Sequence, residues 1–225
     1  MDYLARAGRI ALKDLRLEWR TRQKISSMAF FALLLLVTLH FSFDFQGRGF
    51  EEVGVGVLWV CITFAGTVGL GHSFVLEREE GCLQGLLLAP GDRSAVYLGK
   101  FLSNLAFVAL IEVILLPLAS ILFNYDLTRS VWGLGAILAL FTVGFVALGT
   151  LFAAIAALAR RGDVLLSILL FPLLLPLVMA SVRAAGLVVA EAGWKELRVF
   201  VLFAACYDVI VLVASLLTFE YAVED

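Results

Sequence analysis

Two carboxylic acids and one guanidinium sit inside stretches of this chain that are otherwise almost free of charge: Glu112, Asp208 and Arg183. An ionisable group among apolar neighbours is costly, so each is a candidate for function. One reading turns Glu112 or Asp208 to the interior of a helix bundle, paired with Arg183 or hydrated in a cavity. The other is a neutral carboxyl hydrogen-bonded to a neighbouring helix. A hydrolytic or metal-centred catalytic set is harder to build, because the only histidines are His40 and His72, near opposite ends of the spans outlined below. Cys61, Cys82 and Cys206 are scattered with no Cys-x-x-Cys pair, so neither a disulfide framework nor a zinc site is expected. Small core hydrophobes are the expectation for them. Gly99-Lys100 comes nearest to a phosphate-binding loop, yet Ser94 stands where its first Gly belongs and Phe101 where a Ser or Thr would hold magnesium. No intrinsic enzymatic activity and no directly bound cofactor are expected. Any ATP chemistry belongs to another subunit.

The elements that must position these groups follow from composition. Hydrophobic residues make up 62% of the chain and charged residues 16%, with a mean hydropathy of +1.01, outside the range of a water-soluble domain. A bilayer-crossing helix takes about twenty mostly apolar residues. Six runs qualify: 25–43, 53–75, 96–123, 131–158, 164–189 and 199–219. None alternates with period two, which favours helices over barrel strands. The expected fold is an all-α membrane protein, a bundle of six transmembrane helices in a single domain, 1–225. Pro117 in the third span, and Pro172 and Pro176 in the fifth, each remove a backbone donor and should bend their helices.

Charge sets the topology. Arg6, Arg9, Lys13, Arg16, Arg20, Arg22 and Lys24 precede the first span, and the loops on that side add Arg78, Arg93, Lys100, Arg160 and Arg161. The opposite side has only Arg48, Arg129, Arg183, Lys195 and Arg198. This bias places both termini in the cytoplasm. The net charge of −2 conceals it, and no nucleic-acid partner is indicated. Within residues 1–24, Leu4, Gly8, Ala11, Leu15 and Trp19 recur at helical spacing while bases take most other positions. An amphipathic helix lying in the headgroup layer is expected, with a simple topology signal as the plainer alternative. The long basic region, and the lack of a small-residue cleavage site after Phe43, argue against a secretory signal.

Between the second and third spans, residues 77–95 combine an acidic start, Glu77, Glu79 and Glu80, with Leu83, Leu86 and Leu87 at three- to four-residue spacing. A short helix there would present an apolar stripe to a groove on a soluble partner, its acids favouring the positive end of the helix dipole. Pro90-Gly91-Asp92 would end it. The alternative is a solvated loop with incidental leucines.

The pattern Glu77-Arg78-Glu79-x-Gly81, with Leu83, Leu86, Leu87, Pro90 and then Gly99-Lys100, resembles the loop after span two of ABC-2-type exporters. The whole chain resembles, more specifically, the CcmB family, haem exporter protein B of cytochrome c maturation. That resemblance rests on Leu15-x-x-Glu18 in the basic helix, Val57-Leu58-Trp59-Val60, and the run from Arg161-Gly162-Asp163 through Pro172 and Pro176 to Leu177. It implies an inner-membrane permease of ABC-2 exporter type in which Glu77, Arg78, Glu79, Gly81, Leu83, Leu86, Leu87 and Pro90 couple to a separate ATPase subunit, CcmA. It also implies work beside the membrane proteins CcmC and CcmD and a link to the haem chaperone CcmE, with haem as cargo and ATP on the partner. Conduction of haem, and force transmission that releases the loaded chaperone, both stay open. So do a general ABC-2 exporter of lipid, glycan or drug and a non-conducting scaffold.

Other signals concern assembly. His40 and His72, near opposite faces, cannot clamp one haem iron. Trp59, Trp132 and Trp194 fall near span ends or in an outer loop and are expected as interface anchors. Gly149, Ala153 and Ala157, and likewise Gly66 and Gly69, put small residues where another backbone can approach closely. No internal repeat is visible, so a homodimer is one way to enclose a symmetric pathway.

Overall fold

The computed structural model describes residues 2–42, 53–74, 94–126, 128, 130–158 and 162–222. Seven helices lie among them: α1 (Asp2–Thr21), α2 (Gln23–Ser42), α3 (Val55–Gly71), α4 (Ser94–Leu122), α5 (Val131–Leu158), α6 (Gly162–Val189) and α7 (Trp194–Ala222). By length and composition, α2, α4, α5, α6 and α7 can each cross a membrane. The expected second span, 53–75, contains an apolar helix of only 17 residues, which stops where Gly69-Leu70-Gly71 gives way to the polar His72 and Ser73 in a turn.

The helices alternate in direction. Lys24 at the start of α2 reaches Asn104 near the start of α4. Tyr97, also early in α4, donates to the carbonyl of Ala147 late in α5 and meets the ring of Phe219 at the end of α7. At the opposite end, His40 late in α2 lies 5.1 Å from Phe123, just beyond α4, and Gly133 early in α5 abuts Val188 late in α6. The far ends of α4 and α6 close alike: Asn124 and Glu191 take positive φ, and Tyr125 and Ala192 donate back to the carbonyls of Ser120 and Leu187, satisfying carbonyls the helix leaves free. α4 continues through Pro117, and α6 through Pro172 and Pro176.

The centre of the bundle is α5, which packs against α3, α4, α6 and α7 and buries Leu134, Phe141, Phe145, Val146 and Ala147. Phe141 and Phe145, one turn apart, stack at 5.5 Å, and Trp59 of α3 meets Phe141 edge-on. Trp59 is fully buried, so it is a core residue and not the interface anchor its position suggested. Trp132 and Trp194, each at the start of its helix, are exposed.

The small residues serve contacts within the chain. A side chain at Gly66 would collide with Phe145, one at Gly69 with Met28, and one at Gly149 with Leu70, while Ala153 and Ala157 are buried. Pairing of two copies would therefore have to use other surfaces. Gly149→Leu should destabilise the protein by about 1–3 kcal/mol through overpacking, read as a lowered unfolding midpoint in detergent. An unchanged midpoint would mean that α3 and α5 do not approach this closely.

Candidate functional site

The helix that carries more bases than any other, α1, is bound to the bundle by one face. Ala7, Ile10, Ala11, Asp14 and Glu18 recur every three or four residues and are buried, with α4 as the main neighbour of α1. Gly99 of α4 permits the approach, since a Cβ there would lie 2.7 Å from Ile10 Cβ and 2.8 Å from the Ala7 carbonyl oxygen. A second face, with Leu4, Leu12 and Trp19, is apolar and exposed. A third exposes Arg9, Lys13, Arg16 and Arg20. The expected apolar stripe is thus divided: Ala11 is core, Gly8 and Leu15 are half-buried, and Leu4 and Trp19 face away from the protein.

Asp14 on the docked face leads into a buried polar network. Lys100 of α4, only 2% exposed, places its ammonium 3.0 Å from the Asp14 carboxylate and donates to the backbone carbonyl of Ser73 at 2.8 Å. It also lies over the ring of Phe74. The Ser103 hydroxyl lies 3.3 Å from Asp14 and 3.0 Å from the Lys100 carbonyl oxygen, and Lys13 pairs with the other Asp14 oxygen at 3.2 Å. One turn along α4, Asn104 donates to the hydroxyls of Ser73 and Thr150, each at 3.0 Å, while its carbonyl accepts from Lys24 at 2.6 Å. Both amide hydrogens and the carbonyl are used, which fixes the side chain's orientation. Glu18 accepts the backbone N–H of Ile25 at 2.8 Å and so satisfies a donor at the start of α2, across the turn where Arg22 takes positive φ.

This network has a particular place in the chain. Ser73 lies in the turn just beyond α3 and Lys100 in the second turn of α4, so the two described ends that flank residues 75–93 meet beside the Asp14–Lys100 pair. Glu77, Arg78, Glu79, Gly81, Leu83, Leu86, Leu87 and Pro90 belong to that segment and lie outside the described residues.

Deeper in the bundle, the two acids singled out by sequence flank α5. Glu112 of α4 is 6% exposed and accepts a hydrogen bond from the Thr142 hydroxyl, which also lies 2.8 Å from the Leu138 carbonyl oxygen. Asp208 of α7 is 7% exposed. Its Oδ1 rests against Gly144, where any Cβ would collide with it, and has no hydrogen-bond partner among the described residues. Thr142 and Gly144 are two residues apart, so the acids approach α5 at nearly the same level from α4 and α7. Arg183 is exposed on α6 and forms no ion pair with either acid among the described residues, so of the alternatives open to these acids, pairing with Arg183 is not the one seen here. Thr142→Val would strip Glu112 of this partner and should cost about 1–3 kcal/mol, whereas Glu112→Gln offers Thr142 an amide and should be tolerated. Equal thermal midpoints for Thr142→Val and the parent would show that the bond carries no weight.

The remaining candidates stay apart. His40 packs edge-on against Phe41 and Phe123 at one end of the bundle, and His72 is exposed at the other. Cys61 is buried and Cys206 exposed, so only the first of these two is the core hydrophobe expected. No group of three potential metal ligands gathers among the described residues.

Comparison with known proteins finds one family along nearly all of the chain. The profile of the family described as CcmB protein matches residues 5–224. A protein named heme exporter protein B from Rhodobacter capsulatus is 30% identical over 164 residues, covering 73% of this chain and 75% of its own length. Its namesake from Paracoccus denitrificans is 27% identical, covering 78% and 80%. The Escherichia coli K12 protein of the same name is 29% identical with the same coverage.

Proposed function

Since the chain belongs to the CcmB family, we propose that it is the membrane permease subunit of an ABC transporter complex of cytochrome c biogenesis. In this reading ATP is hydrolysed on a separate subunit of the CcmA type. The work is delivered to haem export, or to release of a haem-loaded periplasmic chaperone of the CcmE type, beside CcmC- and CcmD-type partners. The observation that carries it is the distribution of polarity: charged and amide side chains converge where residues 75–93 join the bundle, while the interior beyond is apolar apart from a few buried groups.

Six spans and an ABC-2 architecture follow if α3 also crosses. Its 17 residues rise about 26 Å, close to the thickness of a bilayer's hydrocarbon core, and it runs antiparallel to α2 between the same two ends. The protein then lies in the bacterial inner membrane with both termini in the cytoplasm, on the side richest in Lys and Arg. There α1 lies in the interface, its exposed Leu4, Leu12 and Trp19 toward acyl chains and its Arg and Lys toward anionic headgroups. In this reading Glu112 links α4 and α5 through its hydrogen bond with Thr142.

Reconstitution tests the reading. Proteoliposomes holding this chain, the ATPase subunit and the chaperone-loading partners should release haem-loaded chaperone only when ATP is hydrolysed. Equal release in the absence of the chain would contradict it.

A further inference from the structure

We propose that α1 acts as a strut: the buried Asp14–Lys100 pair, together with the clamp of Lys100 and Asn104 on Ser73, carries displacement of the two ends that flank residues 75–93 into α4 and α5. Asp14, Lys100, Asn104 and Thr150 are then positioning residues for energy coupling. The proposal rests on the reading that an ATPase subunit acts on that segment.

A partner that pushes on a loop does useful work only if the loop's two roots move together; otherwise the push merely spreads them. Here one ammonium holds both roots. Lys100 sits on the α4 root, bonds the Ser73 carbonyl at the α3 root, and pairs with Asp14 on α1. Asn104 adds a second bond to Ser73 and passes directly to Thr150 on α5, the helix that also holds the contacts of Glu112 and Asp208. The chain of contacts from α1 to the central helix is unbroken and made of short directional bonds. Apolar side chains would fill the same space at a smaller desolvation cost, but they could not hold the Ser73 carbonyl. The exposed faces of α1 brace it in turn, because a helix with Trp19 and four bases outward resists being pulled from the membrane surface.

The test separates coupling from folding. In the double variant Asp14→Leu with Lys100→Met, the branching of one side chain and the approximate length of the other are kept and the ionic bonds are removed. Reconstituted with the ATPase subunit, it should assemble in normal yield and hydrolyse ATP within about twofold of the parent, while haem-loaded chaperone released per ATP falls at least tenfold. Thr150→Val, which leaves the docking of α1 untouched, should lower the same ratio severalfold without loss of assembly. A parental ratio in either variant, in complexes that contain the ATPase, overturns the strut. So does loss of ATPase association that accompanies and accounts for the fall. Absence of the ATPase from preparations of the parent chain would instead sink the underlying reading, and the strut with it.

Discussion

Lys100→Met should destabilise the protein by about 3 kcal/mol, at the lower end of what removing one partner of a buried ion pair usually costs. The substitution leaves Asp14 in its buried position with the half-exposed Lys13 as its remaining ion-pair partner among the described residues, and takes from the Ser73 carbonyl its bond with the ammonium. Lys13 keeps the loss from being larger. Adding Asp14→Leu to Lys100→Met should recover most of the stability, because no isolated charge then remains. Unfolding midpoints of the two single variants and the double, combined as a thermodynamic cycle, read the coupling energy of the pair. Additive effects would mean that Asp14 and Lys100 do not interact.

Leu86→Asp should weaken association with the ATPase subunit by about thirtyfold, equivalent to about 2 kcal/mol, without altering the stability of the bundle. A carboxylate at this position must be desolvated to enter a partner's apolar groove. Gly81→Pro should act in the same direction through the backbone. Titration of the purified ATPase onto the membrane-embedded chain measures the effect; parental affinity in both variants would remove the leucines from the contact.

The parts of the fold legible in the sequence were those written in long-range composition. Runs such as 131–158 and 199–219 gave helices because hydrocarbon solvent leaves the backbone few options, and Glu112 and Asp208 stood out because a carboxyl in an apolar run has no innocent explanation. Hydropathy does not distinguish a helix neighbour from a lipid, which is why Trp59 read as an anchor and is buried against Phe141. The Asp14–Lys100 pair was hidden for a related reason. Lys100 stands near a span end, where cations are ordinary, and Asp14 stands among bases that offer it partners on α1 itself. A signal did exist: Asp14 and Glu18 are four residues apart and in register with Ala7 and Ala11, so one face of α1 is small and acidic while the bases lie elsewhere. Reading α1 as two-faced, with lipid on one side and water on the other, left no side for the protein.

A photo-reactive residue at position 86, activated in intact cells, tests the central claim most directly. The expected adduct joins this chain to the ATPase subunit on the cytoplasmic side of the inner membrane. An adduct with a periplasmic protein, or efficient cross-linking from which the ATPase is absent, would contradict an energy input through the segment between α3 and α4.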